Sequence, residues 1–539
     1  FQQPQDYIDK LSQDYHINAL QYYDWQYRHE QPVATGDLAD KWPLWYRDTY
    51  ASKKTITDYI QDAGNANMGS LAYSMAYAAN DNYDTNTIKD EWRLRNDDGS
   101  YWVRDLGEQW WVPTPEGVDK PKNHQIMMNV NNNGWRNYIT DQYKKQTDVF
   151  KFDGTHIDTL GQTVKKDAAG NSVDLTDGLT SLVNDTAAKT GTPTGINLPD
   201  GAGTDKIGPS SASYIYTELW DHNETNQQVA SYLQGARDKA GNKPQIVAAY
   251  ANNYDPTQPG RPSVPTQDGP RIEAESAQAS VSGGAHILSG DDSASGGAYA
   301  GDFSQGGSTV TFTVDAGQGG TFTFTTRYAR QDDDPAYHQM ILDMGTPTQK
   351  LIKYVHFDKT GSYYTWKDMT ETVELTPGVH TISFWVPGDQ TYTPVNIDCI
   401  TFREFNTDSV KLADAAFAAN GAHHLELGDY GRMLGNEFFE SSGRSMSADL
   451  QTWMKNYYNI STAYENLLFG DNLTRKEHQV EVSTAGVGLP TSTDGSANTI
   501  WANTMTSNAG TALHLINLRT NDNDGNDEYW RNAAKQILP

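Results

Sequence analysis

Strand-like and helix-like stretches alternate along residues 1–269, stop alternating from Arg271 to about Phe405, and resume afterwards. That interruption limits the fold more than any other feature of the chain. Ile17–Tyr23, Asn67–Met75, Gln125–Val130, Phe150–Asp158, Thr194–Asn197, Tyr214–Trp220 and Gln245–Tyr250 read as seven short strands, with helical stretches among them such as Trp135–Val149 and Asn223–Ala240. Strands separated by helices predict βα units and a parallel sheet. Without a G-x-G-x-x-G turn, a barrel is favoured over a dinucleotide-binding fold. Residues 271–405 instead carry consecutive strands, among them 308–314, 321–329, 380–386 and 396–402, parted by Gly/Asp turns, as a β-sandwich would. His423–Gly428 reads as the eighth barrel strand, and Met446–Phe469 as helix.

The expected fold is therefore α/β: a (β/α)8 TIM barrel with an inserted β-sandwich and a partial C-terminal β-domain. The first part of the barrel is 1–269, the insert 270–405, the rest of the barrel 406–475 and the start of the last domain 476–539. Residues 252–270, rich in Pro, Gly, Asn and Gln, form the linker into the insert. At 539 residues, two to four domains are expected.

Forty-one basic against 69 acidic residues leave a net charge of −28, which argues against binding nucleic acid or an anionic membrane. No run of 18 apolar residues predicts a transmembrane helix. Cys399 is the single cysteine, so no disulfide forms within the chain and cysteine-rich zinc sites are excluded. The first residues, Phe1-Gln2-Gln3-Pro4, read as a trimmed end, so the lack of a leader is no argument against export. A secreted or cell-surface bacterial protein, monomeric, is expected.

Barrel enzymes place their chemistry at the C-terminal strand ends. The polar residues there are Asp24, Asn129, Asn131, Asp158, Asn197, Glu218 with Asp221, Asn252, and Glu426 with Asp429. Tyr22, Trp25, Trp135, Trp220, Tyr254 and Tyr430 lie nearby in sequence. Carboxylates among aromatic rings suit a sugar, with rings stacking on apolar sugar faces and polar groups holding hydroxyls. Two carboxylates suffice to break a glycosidic bond, so Asp158 and Glu218 are the candidates. Tyr216 and Trp220 flank Glu218 and predict a raised pKa and a proton-donor role. Local pattern also allows Asp158 to cap the following helix, Asp24 to be a turn residue, His156 to pack or orient, and Glu426 to pair with His423 or His424. The run 521–528 holds part of a calcium-loop pattern without its full spacing, and reads as a solvated loop.

Five blocks, in order, carry a resemblance: YYDWQYRH (22–29), NVNNNGW (129–135), FDGTHIDTLG (152–161), YTELWD (216–221) and HHLELGDYGR (423–432). They resemble glycoside hydrolase family 66, whose dextranases and cycloisomaltooligosaccharide glucanotransferases act on α-1,6-glucan. The resemblance spans most of residues 15–470. It implies a retaining enzyme with Asp158 as nucleophile, Glu218 as acid/base and Asp24 holding the sugar. Tyr22, Asn131, Trp135, His156, Trp220, Asp221, Asn252, Tyr254 and Glu426 are the further substrate-binding candidates, and no cofactor is expected for catalysis. The insert resembles a family 35 carbohydrate-binding module, opening on RIEAES (271–276) and closing on NIDCITF (396–402). That implies a structural calcium ion on Glu273, Glu275 and Asp398, although the EAE run also fits an exposed strand edge. Trp366 and Asn396 would form its sugar-binding face. The expected partners are dextran and isomaltooligosaccharides. Endo-hydrolysis of dextran is the first expectation; the alternatives are cyclisation by intramolecular transfer, a catalytically silent glucan-binding protein, and action on another α-glucan.

Overall fold

The computed structural model describes residues 4–45, 48–81, 83–109, 111–115, 118–219, 223, 225–249, 267–316, 319–332, 337–428, 431–436, 439–440, 444–470, 472–476, 480–484 and 486–519. Trp220, Asp221, Asn252, Tyr254, Asp429, Tyr430, most of the 252–270 linker and the acidic run 521–528 lie outside them.

The chain divides into two compact units. The first holds Phe1–Ala249, Leu412–Glu426 and Tyr457–Pro539, and the second Tyr250–Lys411 and Leu427–Asn456. In the first, seven strands lie in one sheet in sequence order: β1 (Ala19–Tyr22), β2 (Gly69–Met75), β3 (Gly154–Asp158), β4 (Thr194–Asn197), β5 (Tyr214–Glu218), β6 (Gln245–Ala248) and β7 (Ala422–Leu425). Every neighbouring pair is parallel. Helix α1 (Pro4–Tyr15) precedes β1. Helices α2 (Lys53–Asn65), α3 (Asn133–Phe150), α4 (Leu179–Thr190) and α5 (Asn226–Lys239) make crossovers, while α6 (Thr407–Ala419) and α7 (Ala448–Ala463) flank β7. Parallel strands covered on both faces need apolar residues at consecutive positions. In β2, Ala72, Tyr73 and Met75 are all buried.

Local chemistry sets the helix ends. The Asn132 side chain accepts from the amides of Gly134 and Trp135 to start α3, and a Thr225–Gln228 capping box starts α5. Helix α4 ends on Gly191 at φ 69°, a left-handed C-cap that suits glycine.

One expected strand belongs elsewhere. Lys122–Met127, which includes the start of Gln125–Val130, pairs antiparallel with Ala78–Asn80 and Val103–Glu108 in a separate three-stranded sheet. A parallel partner of β2 would need a crossover, and among the described residues no α-helix lies between Met75 and Lys122 to supply one. Helix α3 comes after this segment and leads to β3. The expected eighth strand is thus the seventh of the sheet, and the insert falls between its sixth and seventh strands.

The residues flanking the two edge strands meet. Tyr15, at the end of α1, packs edge-on against Tyr458 of α7 with ring centroids 6.0 Å apart, and His16 Nε2 bonds Asn459 Oδ1 at 2.5 Å. Strands Thr474–Lys476, Thr491–Ser492, Ile500–Ser507 and Gly510–Asn517 form a further sheet. Its Trp501 and Ile516, with Leu518 just beyond, pack on Ala230 of α5 and on Leu412, Ala416 and Ala419 of α6. The stretch expected to open a separate domain therefore belongs to the first unit.

The second unit carries antiparallel sheets of six and five strands. Phe303, Phe324 and Ile400 from the first and Phe312, Ile382 and Phe384 from the second share one core. Residues 427–456 were expected with the barrel but join this unit. The Phe405 amide donates to the Ser445 carbonyl, and the Ser445 amide to the Arg403 carbonyl, both at 2.9 Å.

Candidate active site

The parallel register brings the chemistry together. Asp158 closes β3, Asn197 closes β4 and Glu218 closes β5, with Ile196 opposite Ile157 and Asn197 opposite Tyr216. Asn197 Nδ2 donates to Asp158 Oδ1 at 2.8 Å and to Glu218 Oε1 at 2.5 Å. The two carboxyl groups therefore share one amide, and their nearer oxygens are no farther apart than those two bonds laid end to end. Tyr73, pointing inward from β2, donates its hydroxyl to Asp158 Oδ2 at 2.8 Å. Burial pushes the Asp158 carboxyl above the ordinary Asp range, while hydrogen bonds from Tyr73, Asn197 and the Thr159 backbone and the charge of Arg104 pull it back.

Asp24 adjoins this group. It follows β1, is buried, adopts a left-handed backbone (φ 49°), and its charge, after burial and those of Asp158 and Tyr23, contributes to the raised pKa of the Tyr73 hydroxyl. The Tyr23 ring lies 4.6 Å from that of Tyr73.

Tyr22 points elsewhere. Its ring meets Tyr59 of α2 and Phe152, in the layer between sheet and helices. Successive strand residues face opposite sides, so Tyr23 is the tyrosine of this pair at the site. Trp135 is also corrected: it is 0% exposed, donates Nε1 to the Ala76 carbonyl at 3.0 Å and packs on Trp92 and Tyr138, leaving no face for a sugar. Asn131 donates Nδ2 to the Asp174 carbonyl at 2.9 Å and shapes the turn before α3. His156 is 1% exposed, bonded through Nδ1 to Tyr214 Oη at 3.1 Å, and held neutral by burial, its pKa lowered to about 3. It packs and orients, and presents almost no surface to a ligand.

Glu426 is likewise committed to structure. It is 3% exposed; Tyr458 donates to Oε1 at 2.7 Å, and His424 Nδ1 lies 3.3 Å from Oε2 and 2.7 Å from Asp414 Oδ1. His424 Nε2 bonds the Ala249 carbonyl at 2.6 Å. Both ring nitrogens thus face oxygen acceptors, the pattern of an imidazolium.

Tyr73, Tyr23 and the bridging position of Asn197 are what sequence reasoning missed. Asn197 stood among the strand-end polar residues with no role attached, and Tyr73 lay inside a strand as one more aromatic residue.

The chain matches the family model described as glycosyl hydrolase family 66 over residues 2–539. It belongs to glycosyl hydrolase family 66. Two cycloisomaltooligosaccharide glucanotransferases of Niallia circulans are 32% and 31% identical to it, each over 98% of this chain. The chain spans about half the length of these curated relatives, 53% and 52%. A dextranase of Streptococcus salivarius is 26% identical over 110 residues, 19% of this chain and 13% of that protein. A cycloisomaltooligosaccharide glucanotransferase of Paenibacillus sp., solved in complex with cycloisomaltoheptaose, superposes with a TM-score of 0.70 at 27% identity, covering 99% of this chain and 73% of that one. For this family 66 chain, no helix among the described residues is long and apolar enough to cross a membrane.

The second unit gathers its own expected residues. Glu273 lies opposite Cys399, next to Asp398. Ser295 donates its hydroxyl to Glu273 Oε1 at 2.7 Å and its amide to Asp398 Oδ2 at 3.0 Å, and Arg327 Nε is 2.9 Å from that oxygen. Glu273 Oε2, Glu275 Oε2 and Asp398 Oδ1 are buried with no hydrogen-bond partner. Burial, followed by the charges of Glu273 and Glu275, pushes Asp398 up to about 6 against the Ser295 amide and Arg327. Gly296, at φ +68°, would set a Cβ 2.3 Å from Glu275 Oε1, so a side chain there would displace that carboxylate. The ligand atoms of Glu273 and Asp398 lie within 4.8 Å of each other, and unsatisfied hard oxygens of this kind fit a calcium ion. Trp366 and Asn396 both lie opposite Ala329, on the strands either side of it. Trp366 is half-buried and donates Nε1 to Asp291 Oδ2 at 3.1 Å, and Asn396 donates Nδ2 to the Tyr363 carbonyl at 2.8 Å.

Proposed function

We propose that this chain is the catalytic part of a retaining glucanotransferase that cuts α-1,6-glucan and closes the released segment into a ring. The observation that carries the reading is the pair of carboxylates on one amide. Retaining glycosidases hold their carboxyl groups about 5–5.5 Å apart, inverting ones roughly 6.5–9.5 Å. Two oxygens on a common nitrogen suit the shorter spacing. An α-1,6-linked ring made from α-1,6-glucan also keeps the anomeric configuration, as a double displacement through a glycosyl-enzyme does.

Asp158 attacks the anomeric carbon while Glu218 gives its proton to the departing oxygen. Glu218 then takes the proton of the incoming hydroxyl as that oxygen displaces Asp158. The 6-hydroxyl at the segment's own far end gives a ring, and water gives linear isomaltooligosaccharides. The relatives that match nearly the whole chain carry the transferase name, while the dextranase likeness covers a fifth of it. We therefore put cyclisation ahead of the endo-dextranase reading that the sequence placed first.

The seven-stranded sheet, with its flanking residues meeting at Tyr15 and Tyr458, supports reading it as the wall of a closed β/α barrel. In the second unit, Glu273, Glu275 and Asp398 would hold calcium, and Trp366 with Asn396 would face sugar as in a carbohydrate-binding module. A polymeric substrate is met outside the cell, which supports secretion.

Asp158→Ala should abolish nearly all release of product from dextran while glucan binding persists; full retained activity would refute the assignment. Chromatography of dextran digests separates rings from linear products. Linear products alone at every time point would return the reading to endo-hydrolysis.

A further inference from the structure

We propose that Asn197 is a positioning residue whose one amide group serves both catalytic carboxylates in turn, steadying the negative charge as it moves from Asp158 to Glu218 and back. This deepens the retaining reading above and rests on it.

Asn197 Nδ2 carries two hydrogens, one on Asp158 Oδ1 and one on Glu218 Oε1. Its orientation follows from the chemistry, since the amide oxygen cannot donate to a carboxylate. The backbone is fixed as well. Asn197 pairs with Tyr216 on the β5 side, its carbonyl accepts from Thr159 Oγ1 at 2.7 Å, and the residue is 1% exposed. The donor therefore does not have to move during the reaction.

In the resting state Asp158 is ionised and Glu218 protonated. In the first step the Asp158 oxygen bonds to the anomeric carbon, the glycosidic C–O bond breaks, and the leaving oxygen takes the Glu218 proton. The negative charge has then passed from one side of the Asn197 amide to the other. In the second step Glu218 takes the proton of the acceptor hydroxyl, the acceptor oxygen bonds to the anomeric carbon, and Asp158 leaves as a carboxylate. At each stage one N–H faces the charged partner, as a preorganised donor should. Because it sits between the two groups, the amide also keeps them from bonding directly and sharing one proton.

The test is the pH profile of kcat/KM on dextran for the wild type and Asn197→Ala, with a carbon-13 NMR titration of the Asp158 carboxyl, identified by its loss in Asp158→Asn. Removing both donors disfavours both carboxylates. The whole bell should move to higher pH, the Asp158 titration should rise by about one pH unit, and kcat/KM should fall about 10²-fold or more. A lower rate with both limbs and the Asp158 titration unmoved would make Asn197 merely structural and overturn the proposal. Should Asn197→Ala fail to fold by circular dichroism, Asn197→Ser keeps a single donor and is judged by the same shift. If the wild type does not turn over dextran, the substrate reading fails, while the Asp158 titration still decides the role of Asn197.

Discussion

Tyr73 and Asn197 hold opposite oxygens of Asp158, so the carboxylate is fixed in rotation as well as in charge. Tyr73→Phe removes a hydrogen bond to the ionised form. The acidic limb of kcat/KM, measured across pH, should move to higher pH and the rate fall about 10-fold. The same carboxyl carries a stability cost. Its folded pKa lies above the unfolded value, so between the two the folded protein holds more protons, and stability falls as pH rises through that window. Asp158→Asn should therefore be inactive and, at neutral pH, melt about 1–2 °C higher than wild type by scanning calorimetry. That Asp158 and Glu218 stand at strand ends was legible in the sequence, because carboxylates there stand out among apolar neighbours. The choice between Tyr22 and Tyr23 was not, because β1 has four residues and a one-residue change in phase reverses the face. Trp135 misled because NNNGW looks like a strand-end loop, whereas Trp135 is the third residue of α3, on its buried side.

At the scale of elements, one glycine decides how β3, β4 and β5 fit together. Gly195 lies opposite His156 on one side and Tyr214 on the other. The Tyr214 ring crosses over it to reach His156, so closely that a Cβ on Gly195 would sit 1.9 Å from Tyr214 Cζ. Gly195→Ala must lift that ring and break its bond to His156. We expect a loss of about 1–3 kcal/mol in thermal or denaturant unfolding, with activity falling because β3 carries Asp158. Sequence alone shows Gly195 as a small residue in a short strand; the requirement comes from the neighbouring strand's side chain and the register. In the second unit the proposed calcium ligands Glu273, Glu275 and Asp398 give a comparable test. Calcium should raise its melting temperature and a chelator should lower it. Asp398→Asn should remove most of that difference, and a melt indifferent to calcium would argue against the cation.

At the scale of the whole chain, the two-part organisation was legible because period-two strands without helices read differently from alternating βα units. The assignment of 427–456 was not, since it depends on backbone bonds between Ser445 and the 403–405 segment that no local pattern announces. The Asp414–His424–Glu426 trio was visible only as a possible Glu–His pair, because Asp414 comes from another element. It joins α6, β7 and the end of β6, and through Tyr458 it reaches α7, where the flanks of the two edge strands meet. Burial alone would lower the His424 pKa, but Glu426 and Asp414 outweigh it and raise it to about 10. Asp414 is pushed up to about 8 by burial and then by the Glu426 charge. The His424 contribution is complete below its unfolded pKa and is lost as pH rises through about 10. Asp414 acts in the same direction over an earlier window: between the ordinary Asp range and about pH 8 the folded protein holds a proton that the unfolded chain has lost, so stability falls as pH rises to about 8. The melting temperature of the first unit should therefore fall with rising pH through neutrality and up to about pH 10, with Asp414 contributing below about pH 8 and His424 alone above it. Asp414→Asn should flatten the part of that slope below about pH 8. His424→Leu, which leaves two carboxylates facing each other, should cost about 3–5 kcal/mol at neutral pH. A melting profile level from neutral pH to pH 10, unchanged by Asp414→Asn, would mean that the trio does not govern how the sheet's last strand is held.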